Sequence, residues 1–351
     1  MAFGTIKNLN VRGIVCALPK NKIDTVAHTE KFEKELLERI AEQTGVKSTY
    51  RTKPEQTISD LCYEAAEELI NKLGWEKKSV GALVLVTHAF DYRRPSTSTV
   101  IQKRLGLSKE CMALDINLGC SGFVYGLSVL GSMMMTTDIE KGILVCGDLS
   151  SKAVDPDTTS NLLFGDIGAA IAFEKSDEDN EMHFLLKADG ERYKAIFAKG
   201  GGFRHMDNPD IYADMEGMDV FAFSISDVPK TIKEFMEKTN LSFEDIDIFA
   251  LHQANELIIK RIAKKLKAPM EKTPVIISKY GNSSSSSIPL VIADKVQKEG
   301  SKRRHILMSG FGLGLSWGVA DLVLPEDAYI AMIETNSYYD DENDVTVNVE
   351  N

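Results

Sequence analysis

Three residues of the 351-residue chain combine a reactive side chain with a setting that suits acyl-group chemistry: Cys120, His252 and Asn282. Cys120 lies in LDINLGCSGFVYGLSVL, where an apolar strand pattern runs through a glycine and the cysteine into small residues and a helical pattern. A strand that turns sharply into a helix lifts the side chain between them into a cleft. It also leaves that side chain near free backbone N–H groups. Those groups and the helix dipole lower a thiol pKa and can bind an oxyanion. Gly119, Ser121 and Gly122 leave room for a substrate. His252 follows the apolar run IFAL and precedes QANELIIKRIAKKL, at a second strand-to-helix switch. Strand ends of this kind are where α/β sheets keep their sites. Asn282 sits in KYGNSSSSSIPL, a tight polar loop ahead of a helical pattern.

Each residue alone also has a plainer reading: a buried core thiol, a structural imidazole, a turn asparagine. For Cys16, Cys62, Cys111 and Cys146 the core reading stands, and His28, His88, His183, His205 and His305 lack a comparable setting. Five widely spaced cysteines with no CxxC pair point to neither a disulfide framework nor a zinc site. The glycines of SGFGLGLSWG (309–318) let backbone approach a ligand closely, but their spacing does not suit a dinucleotide fingerprint. FGDIGAA (164–170) reads as a glycine-assisted strand junction in which Asp166 is structural.

The elements that must carry these residues follow from periodicity. Ile58, Leu61, Cys62, Ala65, Leu69 and Leu73 share one face of a helix over 58–74. Helices are also predicted near 96–105, 122–135, 225–239, 254–267 and 287–298. Strands are predicted at 81–87, 112–117, 142–147, 167–173, 246–251, 274–277, 305–309 and 315–324. Alternating strands and helices argue for an α/β fold. SVGALVLVTHA resembles EDIDIFALHQA, and GILVCGDLS resembles HILMSGFGL, as in a duplicated unit. The polar stretch 174–216 reads as a connector.

The net charge of −11 is unevenly spread. Residues 325–351 hold eight acids and no Lys or Arg, so they read as an acidic extension, disordered or pinned against a neighbour. The body, with 44 acids against 41 bases, gives no footprint for nucleic acid. No apolar run reaches about 18 residues and no secretory signal pattern opens the chain, so the expected compartment is the cytoplasm.

Taken in order, GCSG, FGDIGAA, HQAN, YGNSSSSSIP and GFGLGLSWG resemble the beta-ketoacyl-acyl carrier protein synthase III family over about residues 5–324. The resemblance implies a thiolase-like five-layered αβαβα fold of two duplicated halves, here 1–174 and 175–324, usually paired as a homodimer. It implies a Cys120–His252–Asn282 triad and an oxyanion hole from the backbone N–H groups of Cys120 and Leu313. It further implies acyl and malonyl thioesters as substrates, an acyl carrier protein as partner, and no metal or other cofactor. Asn255, Arg39 and the basic residues Lys260, Arg261 and Lys264 are the expected substrate- and carrier-binding positions.

Several positions depart from the family pattern. The segment Arg39-Ile40-Ala41-Glu42-Gln43-Thr44-Gly45 stands where a Trp-Ile-x-x-Arg-Thr-Gly motif clasps the adenine of coenzyme A. Thr159 and Leu257 stand at common Arg positions, and Arg94 stands where a Phe often closes the partner subunit's acyl pocket. These departures point to a specialised primer delivered by carrier protein rather than to acetyl-CoA. Two other readings share the sequence. One is acyl transfer from Cys120 to an alcohol or amine. The other is a catalytically silent partner subunit, which the intact triad disfavours.

Overall fold

The computed structural model describes residues 2–28, 30–178 and 180–349. The chain opens with β1 (Ala2–Lys7), β2 (Leu9–Pro19), β3 (Lys22–Asp24), α1 (Lys34–Thr44) and β4 (Ser48–Tyr50). It continues with α2 (Ile58–Leu73), β5 (Val80–Val86), α3 (Thr97–Leu105), β6 (Met112–Ile116) and α4 (Gly122–Thr136), then β7 (Lys141–Asp148), α5 (Ser150–Ala153) and β8 (Ile167–Lys175). The second half holds β9 (Glu181–Ala188), β10 (Ile196–Phe197), β11 (Asp214–Met215), α6 (Gly217–Thr239), β12 (Ile248–Leu251) and α7 (Glu256–Leu266). After it come α8 (Ile277–Tyr280), α9 (Ser287–Glu299), β13 (Arg304–Gly312) and β14 (Ser316–Leu324). The chain closes with β15 (Tyr329–Thr335), β16 (Tyr338–Asp340) and β17 (Val345–Val347).

Two sheets form the core. One has the order β15-β2-β8-β7-β5-β6, the other β1-β9-β14-β13-β12. Their pairings repeat. β5 runs parallel to β7, and β12 parallel to β13; each second strand then pairs antiparallel with the next, β8 or β14. The two segment pairs that resemble each other in sequence therefore occupy equivalent places in the two sheets. β1 crosses over from the N-terminus to extend the second half's sheet.

The layers follow from what each helix must cover. α4 packs against β5 and β7 of one sheet and β1, β9, β13 and β14 of the other. α9 likewise touches β2, β8 and β15 on one side and β12 and β13 on the other. Both are buried nearly all round, as helices between two sheets must be. α2 and α3 cover the outer face of the first sheet through one apolar cluster, and α6 and α7 that of the second through another. The result is the thiolase-type αβαβα arrangement. At about 25 cal/mol per Å² of apolar area removed from water, burial on this scale is the main force holding the layers together.

Three expectations need correction. PVII (274–277) is not a strand: it turns into α8, because the Gln253 side chain accepts a bond from the Ile276 N–H at 2.9 Å and takes the place of a neighbouring strand. The stretch 174–216 is not all connector, since β9 is an interior strand of the second sheet. Residues 325–349 are neither disordered nor a loose appendage. β15 pairs parallel with β2 from Tyr329↔Gly13 to Thr335↔Pro19, its alternate side chains facing the two apolar clusters on either side of the sheet. The hairpin of β16 and β17 then caps α2 and α3. There Arg104 lies between the rings of Tyr63 and Tyr339, at 4.4 and 4.8 Å, and pairs with buried Asp60 at 2.9 Å. Two of the tail's acids have basic partners within the chain, Asp327 with Arg12 and Asp344 with Lys103.

Candidate active site

Cys120 emerges between β6 and α4, one residue before the helix N-cap Ser121, and is 8% exposed. The end of β13 closes over it. A Cβ on Gly312 would stand 2.7 Å from the Cys120 Cβ and 3.2 Å from its Sγ, so only glycine allows the strand so near. The Ser121 and Ser316 hydroxyls meet at 2.6 Å, and Ser316 donates on to the Leu313 carbonyl. These bonds hold the loop containing Leu313 against the segment that carries Cys120.

His252 begins the turn after β12, its own N–H bonded to the Ser309 carbonyl at 2.9 Å. The ring is buried, lies edge-on to Phe311 and has its Nδ1 2.7 Å from the Ser287 hydroxyl at the start of α9. With Nδ1 occupied, Nε2 is the nitrogen left for a ligand. Asn282 is fixed by backbone on both sides: its N–H donates to the Leu163 carbonyl at 2.8 Å, and its carbonyl accepts from Gly165 at 3.1 Å. The FGD segment therefore pins the asparagine. Asp166 anchors that segment by accepting bonds from Thr52 and Ser151, from both the N–H and the hydroxyl of each, as befits a structural role.

Ser284 joins the three parts. Its N–H donates to Asn282 Oδ1 at 2.9 Å, which turns the Asn282 amide so that its NH₂ end faces away from that bond. Its hydroxyl lies 3.7 Å from Cys120 Sγ, and its backbone also bonds the His252 ring. Ser284 has a φ of +51°, a left-handed conformation that a non-glycine residue holds at a cost of about 1 kcal/mol or more. Sequence reasoning missed Ser284 and Ser287 as site residues because the five serines look alike in a row. It also missed Asp148, whose buried carboxylate accepts bonds from Thr87 Oγ1, the His88 N–H and Ser285 Oγ. No local motif marks Asp148, because its partners come from three separated segments.

Burial sets the electrostatics. It drives the His252 pKa down to about 3, so the imidazole is neutral throughout the physiological range. It also pushes the Cys120 thiol up to about 12, helped by the charge of Asp148 and opposed by the Ser284 hydroxyl bond. Burial thus acts against the lowering expected from the helix N-terminus. A cavity of about 620 Å³ reaches the ends of β5 and β6 at Thr87 and Asn117 and is walled by Phe90, Arg93, Arg94 and Phe203.

The other expected positions lie farther out. Arg39 is exposed on α1, whose capping Gly45 abuts Glu256 at the start of α7. Lys260, Arg261 and Lys264 are exposed on α7, beside exposed Leu257. Asn255 caps α7, its side chain accepting the Ile258 N–H at 2.8 Å. Among the described residues no group of three or more His, Cys, Asp or Glu is placed to hold a metal ion.

With this geometry in place, comparison with known proteins finds two family models. 3-Oxoacyl-[acyl-carrier-protein (ACP)] synthase III matches residues 114–190, and its C-terminal counterpart matches residues 236–323. The chain is 33% identical over 297 residues to a beta-ketoacyl-[acyl-carrier-protein] synthase III of Streptococcus pneumoniae, covering 82% of this chain and 90% of that one. It is 34% identical over 293 residues to that of Streptococcus mutans, covering 80% and 89%. The solved 3-oxoacyl-(acyl-carrier protein) synthase of Burkholderia xenovorans superposes with a TM-score of 0.91 at 32% identity, covering 95% of this chain and 99% of that one.

Proposed function

The chain belongs to the beta-ketoacyl-[acyl-carrier-protein] synthase III family, and on that premise we propose that it is a condensing enzyme that joins two acyl units held as thioesters. In the first half-reaction the Cys120 sulfur attacks an acyl thioester, the carrier thiol leaves, and the acyl group stays on Cys120. The N–H groups of Cys120 and Leu313 receive the charge of the tetrahedral oxygen. In the second, a malonyl thioester loses carbon dioxide. Its thioester oxygen gains enolate character and takes hydrogen bonds from His252 Nε2–H and the Asn282 amide. The carbanion then attacks the acyl-Cys120 carbonyl, forms the new carbon–carbon bond and expels the Cys120 thiolate, which takes up a proton from solvent. Decarboxylation supplies the driving force, so the reaction calls for no metal or cofactor beyond the thioesters.

One observation carries this reading. His252 is buried and neutral with its Nδ1 against the Ser287 hydroxyl, and the Asn282 Oδ1 accepts the Ser284 N–H, which leaves the Asn282 NH₂ to donate. A neutral donor pair suits an enolate that forms and decays within each turnover. Lys260, Arg261 and Lys264 form a basic face for an acidic carrier protein. Exposed Phe90 and Phe203, which share a cavity wall, fit burial against a second copy of the chain. The test is carbon dioxide release from a malonyl thioester by acylated protein. Release with formation of a 3-oxoacyl product supports condensation. Loss of the Cys120-bound acyl group to an added alcohol or amine without release would establish plain acyl transfer instead.

A further inference from the structure

The turn from β13 into β14 is fixed at several points, and one of its groups is left free. Gly312 and Ser316 face each other as the last pair of the two strands. The Leu315 carbonyl accepts the Asp189 N–H at 2.8 Å. The Leu313 carbonyl accepts the Ser316 hydroxyl. A carbonyl has no proton to give, and a serine hydroxyl has only one. The Ser316 proton is therefore committed to Leu313, so the 2.6 Å contact between the Ser121 and Ser316 hydroxyls is a bond donated by Ser121. The chain of bonds has one direction, from Ser121 to Ser316 to the Leu313 carbonyl. Both serines are buried, which keeps water from competing for these bonds. Ser121 is the covalent neighbour of Cys120, so the chain ties the turn to the nucleophile's own backbone. The Leu313 N–H, unlike its carbonyl, donates to no group among the described residues.

We propose that Ser121 and Ser316 are positioning residues for acyl transfer to Cys120: their hydroxyl chain holds the turn so that the free Leu313 N–H meets the oxyanion. In that step the Cys120 sulfur bonds to the thioester carbonyl carbon, and the carbonyl π electrons move onto oxygen. Collapse of the oxyanion breaks the carbon–sulfur bond to the carrier, and the Cys120 thiol proton ends on the departing thiol. One thioester and one thiol are consumed and one of each is formed. A donor aimed in advance at the developing charge stabilises it without reorganisation. Removing either hydroxyl breaks the tie between turn and nucleophile, and a misplacement of about 1 Å at a reacting centre is enough to cost about 100-fold in rate. Neither serine touches the substrate. Both act through the Leu313 backbone.

The proposal rests on the first half-reaction of the condensing reading and deepens it. The experiment compares two reactions of Cys120 in the wild-type protein, Ser121→Ala, Ser316→Ala and Ser316→Thr, each followed by intact mass. One is acylation by a panel of acyl N-acetylcysteamine thioesters, which passes through an oxyanion. The other is alkylation by iodoacetamide, which occurs at a saturated carbon and forms none. Both alanine variants should lose about tenfold or more in the saturating rate of acylation, with the half-saturating concentration little changed, and alkylate within about twofold of wild type. Ser316→Thr keeps the hydroxyl and should keep the wild-type ratio of the two rates. A folded Ser316→Ala protein that acylates at the wild-type rate, or loses acylation and alkylation equally, would overturn the proposal. Should Ser316→Ala not fold, either result in Ser121→Ala would overturn it equally. A wild-type protein that takes an acyl group from no member of the panel would overturn this proposal and the condensing reading together. The expected split in a protein that releases no carbon dioxide from malonyl thioesters would leave the hydroxyl chain standing and sink condensation alone.

Discussion

Replacing Ser287 with alanine removes the partner of His252 Nδ1 while leaving the imidazole in place. The contact is 2.7 Å long and the ring is 1% exposed, so bulk water has no ready access to replace the hydroxyl. An unsatisfied buried polar atom costs about 1–3 kcal/mol. If that cost falls on the state in which Nε2–H must donate to the enolate, decarboxylation slows by about 5- to 150-fold, at about 1.4 kcal/mol per tenfold. Acyl transfer to Cys120 does not use Nε2 and should keep its rate. The two half-reactions are read separately, by carbon dioxide release from a malonyl thioester and by the mass gained on Cys120. A folded Ser287→Ala protein that decarboxylates at the wild-type rate, or loses both half-reactions equally, would refute the idea that this contact sets the His252 donor.

Reversing charge at Lys260, Arg261 and Lys264 should raise KM for carrier-bound substrates, steeply at low salt, and leave KM for small thioesters unchanged, as steady-state kinetics at two ionic strengths would show. Removing the Arg104 side chain strands the Asp60 carboxylate and frees the tail, so Arg104→Ala should cost about 3–5 kcal/mol in denaturant unfolding, with Asp60→Asn in the same chain recovering part of it. The hydrogen bond that the His183 ring makes to the Asp321 carboxylate raises the His183 pKa; burial pushes Asp321 up, but the bonds it accepts from His183 and His305 outweigh that and lower it. The His183 contribution is therefore complete below the ordinary histidine range and fades as pH rises through the raised value. The Asp321 contribution is present above the ordinary aspartate range and fades as acid titrates the carboxylate. His183→Gln should accordingly lower the denaturant midpoint at about pH 6 more than at about pH 9.

Helices with one apolar face, such as α2, were legible because 3.6-residue periodicity survives whatever the helix packs on. Cys120 and His252 were legible because strand-to-helix switches leave a local mark. The supports of the site were not. Asp148, Ser284 and Ser287 act through partners more than 30 residues away, and only the folded sheets bring those together. In HQAN the histidine was readable as chemistry, whereas the bracing bonds of Gln253 and the helix cap made by Asn255 were not. The tail misled by its acidity: β15 is half-buried, with apolar side chains packed on both faces, whereas the charges that dominate the segment lie mostly in its turns and hairpin. Desolvation of Cys120 could not be read from sequence either, since it depends on Gly312 closing over the thiol.

The central claim is that Cys120 carries the acyl group and that His252 with Asn282 drives decarboxylative bond formation on it. The most direct measurement offers purified protein a panel of acyl thioesters followed by a malonyl thioester, with intact mass and carbon dioxide recorded together. The account predicts one acyl group per chain on Cys120, then stoichiometric carbon dioxide release as that mass is lost to a 3-oxoacyl product. An acyl group on any other residue, or loss of the Cys120-bound group without carbon dioxide, would contradict it.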